Sequence, residues 1–326
     1  MTRAIRIHQV GEPEVLQWEN VDVGTPGPGQ ALIRQVAVGL NFIDTYLRTG
    51  LYPLASLPAT LGMEGAGVVE AVGDDVSVVS VGDRVAYCTS IGAYAEQRLI
   101  PANLLIRIPD DISDRQAASM MLKGCTVQYL LRRTYSVGQG DIILFHAAAG
   151  GVGLIACQWA KYLGATVIGT VGSLQKEELA RTHGCDYVIN YKTSNFVERV
   201  KEITDRAGVQ VVYDSVGKDT FMGSLECLKS RGLMVSFGQA SGPVTQFNPA
   251  MLATAGSLYL TRPTLATYTD TREELVATTN DLFKVVQKGV VRIDCNQTYP
   301  LKEAAQAHRD LEARNTTGST VLVIDA

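Results

Sequence analysis

The chain has 326 residues, 46% of them hydrophobic and 19% charged, which is enough for two domains with substantial cores. With 29 Lys and Arg against 33 Asp and Glu, the net charge is −4. No basic field exists to gather a phosphate backbone, and nucleic acid is disfavoured as a partner.

The opening MTRAIRIHQVGE carries Arg3 and Arg6 but no apolar run before Glu12, so no secretory signal is expected. Up to about residue 120 Gly, Pro and Val dominate, with alternation in GAGVVEAVG (65–73) and turns such as VGDDV (72–76). This pattern predicts a mostly antiparallel, partly barrel-like β domain. Ser113 and Gln116 form a capping box that opens a helix leading out of it.

From Asp141 onward, β-rich runs begin at Ile142, Thr166, Tyr187, Val209, Leu233 and Ser257, about 21 to 24 residues apart. That interval holds a strand, a crossover helix and the next strand. The first helix shows apolar Val152, Ile155, Ala156, Trp159 and Leu163 at helical spacing, with Gly164 placed to stop it. Later crossovers are predicted at 174–183, 195–206 and 219–228. Six strands alternating with helices predict an α/β fold with a doubly wound parallel sheet. Thr271 and Glu274 then cap a helix with Leu275, Leu282, Phe283 and Val286, ended by Gly289. Too few strands follow to form another domain. The expected organisation is a discontinuous first domain, 1–123 with 265–326, around a second, 124–264.

Two charge-free stretches, 142–160 and 232–261, carry His146 and Gln158 or Pro243 and Pro249, so neither reads as a membrane span. The cysteines, at 88, 125, 157, 185, 227 and 295, form no C-x-x-C pair. Isolated thiols suit a reducing compartment, and the cytoplasm is expected.

The run FHAAAGGVG (145–153) lies where the first strand of the sheet turns into its helix. A dinucleotide pyrophosphate sits on the free N–H groups of such a helix start and needs close backbone approach, which Gly150 permits, while Gly153 lets helix pack on strand. The first glycine of G-x-G-x-x-G falls on Ala148, so context rather than pattern carries the assignment. An NAD site places an acid about 20 residues further on to bind the ribose 2′-hydroxyl. Here the second strand ends in Gly172 and Ser173 with Lys176 following, which suits a 2′-phosphate and predicts NADPH.

Through NFIDTYLRTGLYP (41–53), LGMEGAGVVEAVG (61–73), GDRVAY (82–87), AAAGGVG (147–153), VVYDSVG (211–217) and SFGQASG (236–242), the chain resembles the quinone oxidoreductase (zeta-crystallin-like) branch of the medium-chain dehydrogenase/reductase superfamily. The resemblance implies a GroES-like catalytic domain, a Rossmann domain, NADPH and reduction of a quinone. It would place Asn41, Phe42, Tyr46 and Thr126 near the nicotinamide, Gly150, Gly151 and Val152 at the pyrophosphate, Ser173 and Lys176 at the 2′-phosphate, and Tyr191 at the adenine end. Ser215, Phe237, Gly238 and Leu265 would line the nicotinamide side, and Arg314 would reach in from the C-terminal segment. Thr126, Ser215 and Leu265 suit core or capping roles equally well.

Zinc-dependent relatives bind a catalytic ion through a Cys where this chain has Asn41 and through a His where Gly62, Met63, Glu64 stand. Amide and thioether replace the thiolate and imidazole that zinc prefers, so no zinc is expected. His8, His146, His183 and His308 are scattered and read as structural or surface residues. Without a metal, the oxygen of a quinone accepting hydride needs neutral donors. Tyr46, Tyr52 and Asn41 are the candidate catalytic residues, although packing alone would explain both tyrosines. An NADPH-dependent enone or alkenal reductase is the alternative on the same fold. A crystallin-like or RNA-binding protein with little turnover is the alternative of another class. The apolar edge run GSLYLTRP (256–263) predicts a homodimer formed through it.

Overall fold

The computed structural model describes residues 2–324. The chain divides into two compact units: Met1–Cys125 with Thr269–Gln287 and Ile293–Ala326, and Thr126–Tyr268 with Lys288–Arg292.

The second unit is the expected doubly wound sheet. Its six strands, Ile142–Phe145, Thr166–Val171, Tyr187–Asn190, Val209–Asp214, Leu228–Ser236 and Tyr259–Thr261, are all parallel and stand in the order 3-2-1-4-5-6. Helices cover both faces of such a sheet, so its strands run nearly continuously apolar; Leu144, Ile168, Val212 and Met234 are buried. The crossover helices are Gly151–Tyr162, Leu174–Thr182, Phe196–Ile203 and Phe221–Cys227. Gly164, at φ +91°, turns the chain out of the first. Asn195 opens the third by accepting the Val197 N–H at 2.9 Å.

Two strand starts differ from expectation. The fifth strand begins at Leu228 rather than Leu233, because Leu228 already pairs with Val209 before the register shifts to Leu233 opposite Val211. The polar LKSRG run that bulges there, with Arg231 at φ +61°, hid the strand from a pattern search. The sixth begins at Tyr259, since Ser257 is left-handed at φ +56°.

In the first unit the long strand Gln30–Leu40 is central. It pairs antiparallel with Glu64–Val72, with Gln97–Pro101 and with Ser319–Val323, the last of which lies parallel to Cys295–Pro300. N-terminal and C-terminal segments thereby share one sheet. A second, antiparallel sheet joins Thr2–Ile7, Gln17–Val21 and Ala59–Thr60. Ile5, Ile33, Leu40, Leu61, Val85, Ile100 and Leu322 form the core. Both capping boxes are occupied: Ser113 Oγ accepts the Gln116 N–H at 3.3 Å to start Asp114–Tyr129, and Thr271 Oγ1 accepts the Glu274 N–H at 3.2 Å to start Arg272–Gln287. The two helices meet at Gly124, where a Cβ would lie 2.5 Å from the Leu282 methyls. Among the described residues no helix is long and apolar enough to cross a membrane; the charge-free stretches are divided among strands, helices and loops.

Candidate functional site

The order of the parallel sheet reverses between its first and fourth strands, and ligands of such sheets bind at the carboxyl ends beside that reversal. After Phe145 the chain makes a tight turn in which Ala147 takes a left-handed φ of +54° and its carbonyl accepts the Gly150 N–H at 2.9 Å. Gly150 is the N-cap of Gly151–Tyr162, so the unpaired amides of Gly151 and Val152 begin a 12-residue helix with no acidic residue in its first turn. Of Gly150 and Gly153, the latter is the more constrained: a Cβ there would lie 2.4 Å from the Ala147 carbonyl oxygen and 2.6 Å from that of Ala148. Ala148, at the position of the first fingerprint glycine, is fully buried against Gly169, whose own Cβ would lie 2.6 Å from the Ala148 methyl. The missing glycine is therefore compensated on the neighbouring strand.

Where the second strand ends, Gly172 lacks a side chain because Tyr191 crosses it; a Cβ would lie 2.4 Å from the tyrosine hydroxyl. Ser173 caps the following helix by accepting the Lys176 N–H at 3.3 Å, and a hydroxyl that accepts there can still donate outward. Gly172, Ser173 and Tyr191 thus meet at the strand end, with Lys176 in the first turn of the following helix and Glu177 beside it accepting from Asn190 Nδ2 at 3.0 Å.

The ends of the fourth and fifth strands pack on each other. Phe237 N–H donates to the Asp214 carbonyl at 2.8 Å, a Cβ on Gly238 would lie 2.6 Å from the Ser215 carbonyl oxygen, and the Phe237 ring centroid is 5.8 Å from that of Phe145. Ser215, Phe237 and Gly238 therefore surround the carboxyl end of the first strand. Beneath them lies a buried polar network that sequence reasoning missed. His146 bonds Thr170 Oγ1 and Ser224 Oγ, each at 2.9 Å, and Ser224 Oγ is 3.1 Å from Asp214 Oδ2. Asp214 Oδ1 also accepts the N–H groups of Val216 and Gly217. Burial lowers the His146 pKa and outweighs the opposing charge of Asp214, so the imidazole is a neutral structural linker. Leu265 opens the short helix Leu265–Tyr268, and Thr126 is buried in Asp114–Tyr129.

In the first unit Asn41 is the N-cap of the helix Phe42–Arg48. The rings of Phe42 and Tyr46 have centroids 6.3 Å apart, and those of Tyr46 and Tyr52 meet edge to face at 5.2 Å. These three aromatics form one cluster, on the helix that Asn41 caps and the loop after it. Arg314 is exposed after the helix Ala304–Glu312, in a left-handed conformation with φ +61°.

Three further residues of this unit, Asp44, Glu64 and Lys123, were assigned no role from the sequence. Asn41 Nδ2 donates to Glu64 Oε1 at 2.8 Å, Lys123 Nζ lies 2.6 Å from the same oxygen, and the Leu122 N–H reaches Glu64 Oε2 at 2.7 Å. Met63 packs against the apolar core. Asp44 Oδ2 accepts the Asn41 N–H at 2.9 Å and the Tyr94 hydroxyl at 3.0 Å, and burial pushes its pKa up to about 7. The only sequence signals were a Glu inside an apolar strand and a Lys inside the apolar run MMLKGCTV (120–127).

The Asn41 and Met63 positions do not offer a zinc ion its preferred donors, and the Asn41 amide is already engaged by Glu64. Among the described residues no group of three or more His, Cys, Asp or Glu is arranged to hold a metal. The second unit suits a dinucleotide: Gly150 leaves the helix amides uncovered by a side chain, and Gly153 lets the helix pack against the turn.

Residues 27–110 match the alcohol dehydrogenase GroES-like domain and residues 151–280 the zinc-binding dehydrogenase family, the latter outside the Asn41–Glu64 cluster. A quinone oxidoreductase of Pseudomonas aeruginosa is 54% identical, with 99% of this chain and 100% of that protein aligned. The crystal structure of Escherichia coli quinone oxidoreductase complexed with NADPH superposes with a TM-score of 0.97 at 51% identity, covering 98% of this chain and 99% of that one. A 2-haloacrylate reductase from a Burkholderia species is 47% identical over 100% of both chains. The chain therefore belongs to the quinone oxidoreductase family of the medium-chain dehydrogenase/reductase superfamily.

Proposed function

We propose that this chain is an NADPH:quinone reductase that works without zinc. The observation that carries the reading is the dinucleotide turn at Gly150–Gly153 joined to a second strand that ends in Gly172, Ser173 and Lys176. The second unit is the NADPH domain and the first supplies the groups that meet the acceptor. NADPH bound there supplies the hydride. The quinone gains that hydride and then a proton, becoming the hydroquinone while NADP⁺ remains.

Within the first unit, Tyr46 and Tyr52 offer flat faces to the quinone ring and hydroxyls to its developing oxyanion, with Asn41 beside them. Quinones are intrinsically good acceptors, so orientation supplies much of the rate and each hydroxyl adds a modest share. Tyr46→Phe and Tyr52→Phe are each expected to lower kcat/KM about tenfold. Unchanged values in both single variants and the double would leave the rings as walls only.

Thr126, Ser215, Phe237, Gly238 and Leu265 are proposed for the nicotinamide end of the cofactor, Tyr191 for the adenine, and Arg314 as a further contact. Lys176→Ala is expected to weaken NADPH by about 1.5–3 kcal/mol, the range for a hydrogen bond to a charged group, and NADH far less. Titration of both cofactors measures this; equal losses reject a role at the 2′-phosphate.

A homodimer is proposed through the edge strand Tyr259–Thr261, where Tyr259 is exposed and, among the described residues, the strand pairs with Leu228–Ser236 alone. Light scattering is expected at twice 35.1 kDa; the monomer mass at micromolar concentration rejects it. The buried, unlinked thiols of Cys88, Cys125, Cys157, Cys185 and Cys227 support a cytoplasmic setting.

Reduction of an activated alkene is the second reading, favoured by the resemblance to the 2-haloacrylate reductase. Steady-state oxidation of NADPH with naphthoquinone, a simple enone and 2-chloroacrylate, with and without chelator, decides between them. The highest kcat/KM names the acceptor class. Loss of turnover in chelator overturns the metal-free reading. No turnover with any acceptor points to a nucleotide-binding protein instead.

A further inference from the structure

We propose that Glu64 and Lys123 are a positioning pair that sets which way the Asn41 side-chain amide faces. The inference rests on the reading of Asn41 as part of the acceptor site.

The two ends of an asparagine amide have nearly the same shape and opposite chemistry: Nδ2 only donates and Oδ1 only accepts. An ionised carboxylate only accepts. Glu64 Oε1, 2.8 Å from Asn41 Nδ2, therefore holds the donor end of the amide, while the capping box turns its acceptor end toward the Asp44 N–H.

Glu64 is 0% exposed, and a carboxylate that is fully removed from water stays charged only with a partner. Lys123 is that partner, with Nζ 2.6 Å from Oε1 and its side chain 5% exposed. The second oxygen is fixed by the backbone N–H of Leu122 at 2.7 Å. The carboxylate fits because residue 39 is glycine: a Cβ there would lie 2.2 Å from Oε1 and 2.4 Å from the Ala118 carbonyl oxygen. Three elements, the strands Gln30–Leu40 and Glu64–Val72 and the helix Asp114–Tyr129, thus converge on one carboxylate that faces Asn41. Apolar residues of similar volume would serve packing as well as a buried ion pair, so packing alone does not account for a charged pair at this position. Glu64 and Lys123 act through Asn41 and do not touch the reacting atoms.

The test begins with the unaltered protein labelled with ¹⁵N at asparagine. The Asn41 side-chain resonances are identified by their loss in Asn41→Ser. One Nδ2 hydrogen is expected in slow exchange with solvent, because it is buried against the carboxylate. Two rapidly exchanging hydrogens overturn the proposal.

The second arm is the double variant Glu64→Gln/Lys123→Met. It carries no buried charge, so it is expected to keep the melting temperature of the parent. The side-chain amide introduced by Glu64→Gln must offer its oxygen to the Leu122 N–H, which leaves its NH₂ facing Asn41 and inverts the asparagine amide. The Asn41 resonances are then displaced, and kcat with naphthoquinone falls about tenfold or more while KM for NADPH stays within about twofold. A double variant with parental stability and parental kcat overturns the proposal. So does a lowered kcat with the Asn41 resonances in place. If the parent itself turns over no quinone, the functional reading fails, and the resonances alone still decide the positioning.

Discussion

Gly153→Ala is expected to lose NADPH binding by about 100-fold and to destabilise the second unit by about 3 kcal/mol. Its Cβ would meet two backbone carbonyl oxygens, of Ala147 and Ala148, at 2.4 and 2.6 Å. Backbone cannot yield as a side-chain end can. The Ala147 carbonyl is also tied to the Gly150 N–H, so the whole turn must move and take the helix amides with it. Gly150→Ala is the informative control. Its Cβ would lie 3.1 Å from the Ala147 carbonyl oxygen, and its φ of −84° suits any residue. It should therefore fold nearly as the parent does while still hindering the approach of a pyrophosphate. Calorimetric titration with NADPH and urea unfolding followed through Trp159 separate the two effects. Normal affinity in both variants would show that the dinucleotide lies elsewhere.

The second large effect is expected at Glu312. Arg48 is fully buried at the end of the helix Phe42–Arg48, and its Nη1 and Nη2 reach the Glu312 oxygens at 2.9 and 2.7 Å. Its Nε donates to the Gly11 carbonyl at 3.0 Å, and Nη1 lies 3.0 Å from His308 Nδ1. Arginine has no acceptor, so Nδ1 must accept and the imidazole proton sits on Nε2. His308 then donates to the Tyr94 oxygen at 3.1 Å, and Tyr94 donates to Asp44. Burial, assisted by Arg48, lowers the His308 pKa to about 3, so this imidazole is neutral at every working pH.

Glu312→Ala leaves the Arg48 charge buried without a counterion and is expected to cost about 3 kcal/mol, the low end for a broken buried pair because the Glu312 side chain is 33% exposed. Arg48→Met/Glu312→Leu removes both charges and should cost less than Glu312→Ala alone. Urea unfolding of the first unit, followed through Trp18 with Trp159 replaced by Phe, measures both. A double variant less stable than Glu312→Ala would show that the pair contributes by attraction rather than by mutual need.

The repeating architecture was legible along the chain because it rests on local chemistry. Strand and crossover lengths set the spacing of the six β runs, and Ser113, Thr271 and Gly164 mark helix ends by their own side chains or lack of one. The turn from strand to helix at 145–153 was legible for the same reason, since strand, glycines and helix are contiguous. The start of the fifth strand is not legible, because the polar residues after Leu228 pair across a bulge and interrupt the apolar run that begins again at Leu233.

Tertiary structure alone decided the polar interior. Asn41, Glu64 and Lys123 come from a helix cap, a strand and another helix, and nothing local marks a charged residue as buried or names its partner. Arg48, His308 and Glu312 meet across most of the chain length, on two helices that only the fold brings together. The compensation of Ala148 by Gly169 is of the same kind, since steric room belongs to the pair and to neither residue. Side-chain periodicity reports which face of an element is buried, whereas the partner of a buried charge is set by which elements the topology makes neighbours.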